Sequence, residues 1–289
     1  MDVNPLSSKL KKNSLSRFIN FNGSLLDEAG PVVKASNRSL RYGDGLFESM
    51  RWENDRISLG DFHFERLFHG LNILQMEPPP GFTADYLFTQ IRELCKTNKQ
   101  ETARIRLNVF REESPAFHPV NNDLQFIIEM ADLPGSKPES LRLTVYYDEK
   151  KATGILSNLK TNSYLLSVMA AKYAQQNGFD DALMLNARDG VCEASSSNIF
   201  FIKDRTVFTP PLTEGCVAGV MRRYLLQQLP SLGFMVQEIP LSLEMIYEMD
   251  EVFLTNAIRR IQPVGGLGNK EYLKKAAVSQ IVSFGQKTL

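Results

Sequence analysis

Cysteine and histidine are scarce in this chain. Its three cysteines, Cys95, Cys192 and Cys216, are odd in number and have no CxxC spacing, which argues against a disulfide framework or a zinc site. Such sparse thiols suit a reducing compartment, and the cytoplasm is the expected location. The three histidines, His63, His69 and His118, form no HExxH pair, so no histidine-based metal site is expected. Net charge is absent too, because 33 Lys plus Arg offset 33 Asp plus Glu. Nucleic acid is therefore not an expected partner. No apolar run approaches the ~18 residues that span a bilayer, so no membrane partner is expected. Residues 1–16 are polar and lysine-bearing, lack the apolar segment of a secretory signal, and are expected to form a flexible tail.

What remains suits a globular protein. The chain has 289 residues, 43% of them hydrophobic and 23% charged, enough for one large core or two smaller ones. Residues 17–22 and 46–52 read as strands, with turn signals at Asn22-Gly23 and Gly43-Asp44-Gly45. Phe64, Leu67, Leu71 and Leu74 recur at helical spacing over 61–75, with Asp61 as the expected N-cap. A second helix is predicted at 83–97. Residues 103–111 alternate like a half-buried strand, and 123–130 form another. Residues 132–140 carry two prolines, a glycine and two serines, the best linker in the sequence. Beyond it come a strand at 141–147, a helix at 162–176, a meander at 181–209 and a helix from about 219. The expected organisation is a smaller α+β domain, 17–131, and a larger domain, 141–289.

Several segments can carry chemistry. Lys160 precedes a predicted helix start. A helix dipole and partial burial both disfavour an ammonium there, so the lysine can become a neutral nucleophile; a solvated lysine is the alternative. Glu193, followed by Ala194 and three serines, can face a protonated ring nitrogen, or can simply close a hairpin. Gly215 and Gly219 precede an apolar helix whose free N–H groups can cradle a phosphate, although no GK[ST] follows. Arg66 lies on the 61–75 helix, where a surface pairing with Asp61 or Glu65 is the alternative.

Six segments carry a resemblance: Tyr42-Gly-Asp-Gly-Leu-Phe-Glu48, His63-Phe-Glu-Arg66-Leu67, Lys160-Thr-Asn-Ser-Tyr164-Leu165, Glu193-Ala-Ser-Ser-Ser-Asn198-Ile-Phe200, Gly219-Val-Met-Arg222 and Thr255-Asn-Ala-Ile-Arg-Arg-Ile-Gln-Pro-Val264. In this order, over residues 42–264, they resemble the class-IV (fold-type IV) pyridoxal-phosphate enzymes. That group includes branched-chain and D-amino-acid aminotransferases and 4-amino-4-deoxychorismate lyases. The resemblance implies a two-domain α/β (α+β) fold with the cofactor, pyridoxal 5'-phosphate, in the interdomain cleft of a homodimer. It implies that Lys160 carries the cofactor as a Schiff base and moves protons. Glu193 would keep the ring nitrogen protonated, and Tyr164 would bond the ring phenolate. Arg66 and the amides of Val220 and Met221 would hold the phosphate, with Ser196 and Ser197 near the ring face and phosphate and Asn256 and Ala257 close by.

The finer pattern divides the family. Ser49 follows Glu48, and Thr255-Asn256-Ala257 stands where branched-chain enzymes have Gly-Thr-Ala-Ala. D-amino-acid enzymes have hydroxyls near 257–258, where this chain has Ala257 and Ile258, which puts one phosphate contact in doubt. The Asn-Ala-x-x-x-x-Pro-Val form and the strand-closing Arg111 resemble the lyase branch, which releases pyruvate and 4-aminobenzoate. An aminotransferase using 2-oxoglutarate is the alternative, and a non-catalytic cofactor binder a further one. Tyr42, Phe47 and Arg111 are the substrate-pocket candidates, Tyr42 and Phe47 having core aromatics as their alternative.

Overall fold

Residues 22 and 23 take positive φ, 51° and 88°, and close the first hairpin between β1 (Phe18–Phe21) and β2 (Ser24–Asp27). The computed structural model describes residues 17–288 except 115, 136 and 137. The expected tail, 1–16, lies outside the described residues, as do two residues of the expected linker. After the hairpin come α1 (Arg38–Tyr42), β3 (Gly45–Glu53), β4 (Arg56–Ile57), α2 (Gly60–Ile73), α3 (Ala84–Thr97), β5 (Thr102–Arg111) and β6 (Leu124–Ala131). Their strands form an antiparallel sheet in the order β2-β1-β6-β5-β3-β4.

Period-two alternation decides what this sheet buries. Ala103, Ile105, Leu107 and Val109 of β5 turn one way and are buried. Leu67 and Leu71 of α2 and Leu87, Ile91 and Leu94 of α3 pack into the same core. Each such fully buried side chain contributes about 2 kcal/mol of transfer free energy. Arg104 and Arg106 point to the opposite face. On the adjacent β3 the same parity puts Leu46, Met50 and Trp52 in the core, with Phe47 and Ser49 on the side of the arginines. Ser49 stands opposite Arg106 in register. The N-cap of helix α2 lies two residues earlier than its sequence suggests. It is Leu59, in a left-handed conformation, and Asp61 sits in the first turn instead.

The second sheet contains β7 (Leu141–Lys151), β8 (Asp181–Asn186), β9 (Val191–Ala194), β10 (Asn198–Lys203), β11 (Thr206–Thr209), β12 (Met235–Glu238), β13 (Glu251–Asn256), β14 (Arg260–Leu267) and β15 (Lys270–Glu271). Its order is β12-β11-β10-β13-β14-β7-β8-β9, with β15 added on β14. Strand β7 is parallel to both its neighbours, β8 and β14. Helix α4 (Leu165–Gln176) lies on Tyr146 and Met184 through Ala170 and Ala174. Helices α5 (Val220–Gln228) and α7 (Ala276–Thr288) share a core with Phe200 and Phe253. Those two rings face each other in register and stack 5.0 Å apart. Such two-sided covering explains why 181–186 is apolar and buried almost without alternation. The short helix α6 (Leu243–Tyr247) buries Ile246.

Strand β3 fastens the two sheets together. The Phe47 amide donates to Lys160 O (2.9 Å), and the Asn162 amide donates to Gly45 O (2.9 Å). At its far end Glu53 pairs with Arg260 of β14 and with Arg51, while Arg51 donates to Ile258 O at 3.1 Å. Residues 160–162 and 256–260 are thereby held at opposite ends of one strand, and a cleft opens between them.

Candidate active site

The cleft has a volume of about 370 Å³ and takes its walls from both sheets. Lys160 and Tyr164 lie on its wall together with Phe47. Lys160 Nζ donates to Tyr164 Oη at 3.3 Å and sits 4.4 Å from the centre of the Phe47 ring. The Phe47 and Tyr164 rings meet edge to face at 5.2 Å. Burial, and then the Arg66 charge, push the Lys160 pKa down from 10.5 to about 8, with Glu48 and Glu193 opposing. The helix start invoked from sequence is not among those causes: α4 begins at Leu165, beyond the lysine. Burial, followed by the Glu193 charge, raises the Tyr164 phenol, which therefore stays protonated at neutral pH.

Arg66 is not a surface residue. Its Nε and Nη2 grip Glu48 at 2.8 and 2.5 Å, and its Nη1 donates to Ala218 O at 2.9 Å. Those bonds use three of a guanidinium's five N–H donors, and the arginine lines the cleft. Glu48 also lies 2.7 Å from His63 Nδ1. Burial works against the Glu48 charge, but Arg66 and His63 outweigh it and hold its pKa down to about 2 from 4.5. The folded-state value is the lower one, so the pair stabilises the fold above pH 4.5, and this contribution is lost as pH falls through about 2. Glu48→Gln should therefore destabilise the protein by roughly 3 kcal/mol at neutral pH, because Arg66 loses its buried counter-ion. It should also flatten the loss of stability between pH 4.5 and 2; urea titrations across that range check both.

A cradle lies beside Arg66. The first-turn amides of α5, at Val220 and Met221, have no acceptor within the helix, as is general at helix starts. Gly219 precedes them, and a Cβ there would collide with Asn198 Oδ1. The Thr255 hydroxyl, on the same cleft wall, is buried with no hydrogen-bond partner among the described residues. Free amides, an arginine with unused N–H groups and an orphaned hydroxyl fit a phosphate. Asn256 does something else: its Nδ2 donates to Ser197 Oγ (2.9 Å), and its Oδ1 accepts from the Ile258 and Arg259 amides. It staples two loops of the wall, and Ser196 and Ala257 line the cleft beside it.

Glu193 lines the same cleft. Its Oε2 accepts from the Val217 amide at 3.0 Å and from Asn198 Nδ2 at 3.4 Å. It is the one acid among the described residues that line the cleft. The Val217–Gly219 segment thus links the two residues, bonding Glu193 through Val217 and Arg66 through Ala218.

The structure does not bring Tyr42 or Arg111 to this cleft. Arg111 is buried and fully engaged, bonding Asp44 (3.2 Å), Asn122 (2.6 Å) and the carbonyls of Leu74 (2.7 Å) and Gln75 (3.3 Å). Tyr42 is 42% exposed, its ring edge-on to Phe117 at 5.4 Å. Besides Arg66, the arginines that line the cleft are Arg104, Arg106 and Arg259. Arg106 lies flat on Phe47, 3.9 Å from the ring centre, and only 3.8 Å links it to Glu129. The signal for Arg104 and Arg106 was available in the sequence, as the polar half of an alternating strand.

A family model described as amino-transferase class IV matches residues 45–267. The chain belongs to the class IV aminotransferases. Like the other members it is a pyridoxal-phosphate-dependent enzyme of mixed α/β fold. Among relatives, an aminodeoxychorismate lyase of Vibrio harveyi is 29% identical over 246 residues, 83% of this chain and 89% of that one. A putative branched-chain-amino-acid aminotransferase of Methanocaldococcus jannaschii is 28% identical over 250 residues, 85% and 86% of the two chains. The solved branched-chain aminotransferase of Thermoproteus uzoniensis, with norvaline, superposes with a TM-score of 0.87 at 26% identity over 94% of both chains. The class IV fold thus carries different named activities at nearly equal similarity to this chain. No helix among the described residues is long and apolar enough to cross a membrane, and no His/Cys/Asp/Glu group there can hold a metal ion.

Proposed function

We propose that this class IV enzyme is a 4-amino-4-deoxychorismate lyase, with the cofactor held between Arg66 and Glu193. The observation that carries the reading is the arginine wall. Arg104, Arg106 and Arg259 face a cleft with one acid, Glu193, on its lining. Neither Arg104 nor Arg259 has an ion-pair partner among the described residues, and the Arg259 guanidinium donates to Gly135 O at 3.0 Å. Such a wall suits a substrate with two carboxylates. Among two-carboxylate substrates, the Asn256-Ala257 loop favours the lyase.

The residues divide the work as follows. Arg66, the Val220 and Met221 amides and the Thr255 hydroxyl take the phosphate. Ser197, fixed by Asn256, shapes the wall beside it. Tyr164 donates to the ring oxygen, and Glu193 faces the ring nitrogen. Once bound, the cofactor supplies an electron sink that no side chain offers. Lys160, with a pKa of about 8, is close enough to neutral pH both to accept the Cα proton and to return one. Phe47 and Tyr164 flank its amine and keep water from it.

An aminotransferase acting with 2-oxoglutarate is the second reading, supported by the superposition on the T. uzoniensis enzyme. It needs the same wall for the second carboxylate of its acceptor. Purified holoenzyme decides between the two. Supplied with 4-amino-4-deoxychorismate it should release pyruvate and 4-aminobenzoate. Glutamate formed from L- or D-amino acids and 2-oxoglutarate, with no pyruvate from the first substrate, would reject the lyase; silence in both assays would leave a non-catalytic binder.

The chain is further proposed to act as a homodimer in the cytoplasm. An apolar face supports the dimer: Leu40 and Tyr42 of α1 and Leu165 and Val168 of α4 are all exposed. The segment that leads into α4 meets α1 where Asn162 donates to Ser39 Oγ, at 2.9 Å. Cys95, Cys192 and Cys216 are all buried free thiols, which suits a reducing compartment.

A further inference from the structure

Glu193 is held from behind by a lysine that faces a different cavity. Lys151 Nζ forms an ion pair with Glu193 Oε1, and both side chains are nearly buried, 13% and 6% exposed. Lys151 does not line the cleft. It lines a second cavity of about 400 Å³, on the side of Leu156, Ser163 and Leu166, which Glu193 does not line. Val217 and Tyr164 line both and form the partition. The lysine therefore reaches the carboxylate from the side away from the cleft.

The backbone is irregular at the point that makes this reach possible. Strand β7 pairs Tyr146 with Met184 and next pairs Lys151 with Asn186. The extra residues bulge out, and such irregularities re-aim side chains beside active sites. Lys150, next in sequence, pairs instead with the exposed Asp189 at 2.6 Å. The division matters chemically. A carboxylate offers about four lone-pair directions. Lys151 takes Oε1, while Val217 N and Asn198 Nδ2 take Oε2. One direction is left for the cleft.

We propose that Lys151 is a positioning residue. It holds Glu193 as a carboxylate with its open edge toward the cleft, so that a proton shared with the cofactor ring stays on the ring nitrogen. The proposal rests on the reading that Glu193 faces that nitrogen. Without the lysine, Glu193 is a nearly buried anion with one fewer counter-charge, and the shared proton shifts from nitrogen to the carboxylate oxygen.

The test uses holoenzyme loaded with pyridoxal phosphate isotopically labelled at the ring nitrogen and read by NMR. Wild type and Lys151→Arg should both give a protonated nitrogen. Lys151→Gln should move the signal toward the neutral form and lower kcat about tenfold with KM little changed, as loss of an outer-layer partner commonly does. Lys151→Arg should restore kcat to within about threefold of wild type, as expected where charge rather than shape acts. Because the lysine acts through Glu193, Lys151→Gln should add nothing to Glu193→Gln in the double variant. An unmoved signal in Lys151→Gln overturns the proposal and leaves the role of Glu193 standing, provided Glu193→Gln alone moves it. If Glu193→Gln also leaves the signal in place, the underlying reading falls. A neutral nitrogen in the wild type, or in Lys151→Arg, overturns the proposal without any need for Lys151→Gln to fold.

Discussion

Lys160→Ala should abolish covalent capture of the cofactor and lower turnover about ten-thousandfold, the upper range for losing a positioned proton carrier. Borohydride added to the wild-type holoenzyme should leave a stable adduct at residue 160, detectable by mass, and the variant should give none. Misfolding is not the expected cause. The lysine side chain makes one hydrogen bond, to Tyr164, and otherwise touches aromatic rings. Its pKa is depressed from 10.5 to about 8. The folded state therefore disfavours the charged amine, and below pH 8 the protonated lysine opposes folding. Alanine removes that opposition, so the variant apo-protein should unfold at the same temperature as wild type at pH 7, or higher. An inactive variant of lower melting temperature would point to a structural role instead. The same pKa fixes a second outcome: cofactor capture by wild-type apo-protein should quicken about tenfold per pH unit up to about 8 and then level. A rate still climbing toward pH 10.5 would mean a lysine exposed to water.

The sequence was most legible where chemistry or packing restricts residue type. Strand β5 could be placed because Ala103, Ile105, Leu107 and Val109 alternate with polar residues, and period two has one structural meaning. The same pattern contains the arginine wall, yet parity alone cannot tell a face that meets solvent from one that meets a cleft. Lys160, Tyr164, Glu193 and Arg66 were implied together only by the resemblance to the class-IV enzymes, and the structure places all four on one cleft. Arg111 shows the limit. A strand-closing arginine beside polar turns fits a ligand or an anchor equally well, and Asp44 with two backbone carbonyls makes it an anchor. Helix α1 went unseen because five residues carry too little periodicity; Asn37 caps it by accepting from the Leu40 amide. Lys151 was invisible for a different reason. The apolar run that marks the predicted strand ends at Tyr147, before the charged Asp148, Glu149 and Lys150, and only the irregular pairing of β7 with β8 carries the lysine to Glu193.

Glu193→Gln should lower kcat/KM about a thousandfold, the upper range for removing one preorganised charge from an active site. Cofactor affinity should weaken by no more than about tenfold, because the phosphate contacts at Arg66 and α5 are separate groups that the substitution leaves in place. The substitution is close to isosteric. The glutamine carbonyl can still accept from Val217 N and Asn198 Nδ2, so the Val217 loop keeps its bonds, while Lys151 loses its counter-ion. What disappears is the negative charge, and with it the reason for a proton to remain on the ring nitrogen when electrons flow into the ring. The loss should therefore fall on the step that breaks the Cα–H bond. With substrate deuterated at Cα, the variant should show a larger isotope effect on kcat than wild type, since that step becomes slower relative to product release. A variant that loses the cofactor at micromolar concentration, yet turns over normally when resupplied, would make Glu193 an anchor for the ring. A variant with normal affinity and a thousandfold slower proton removal makes it the group that keeps the electron sink open.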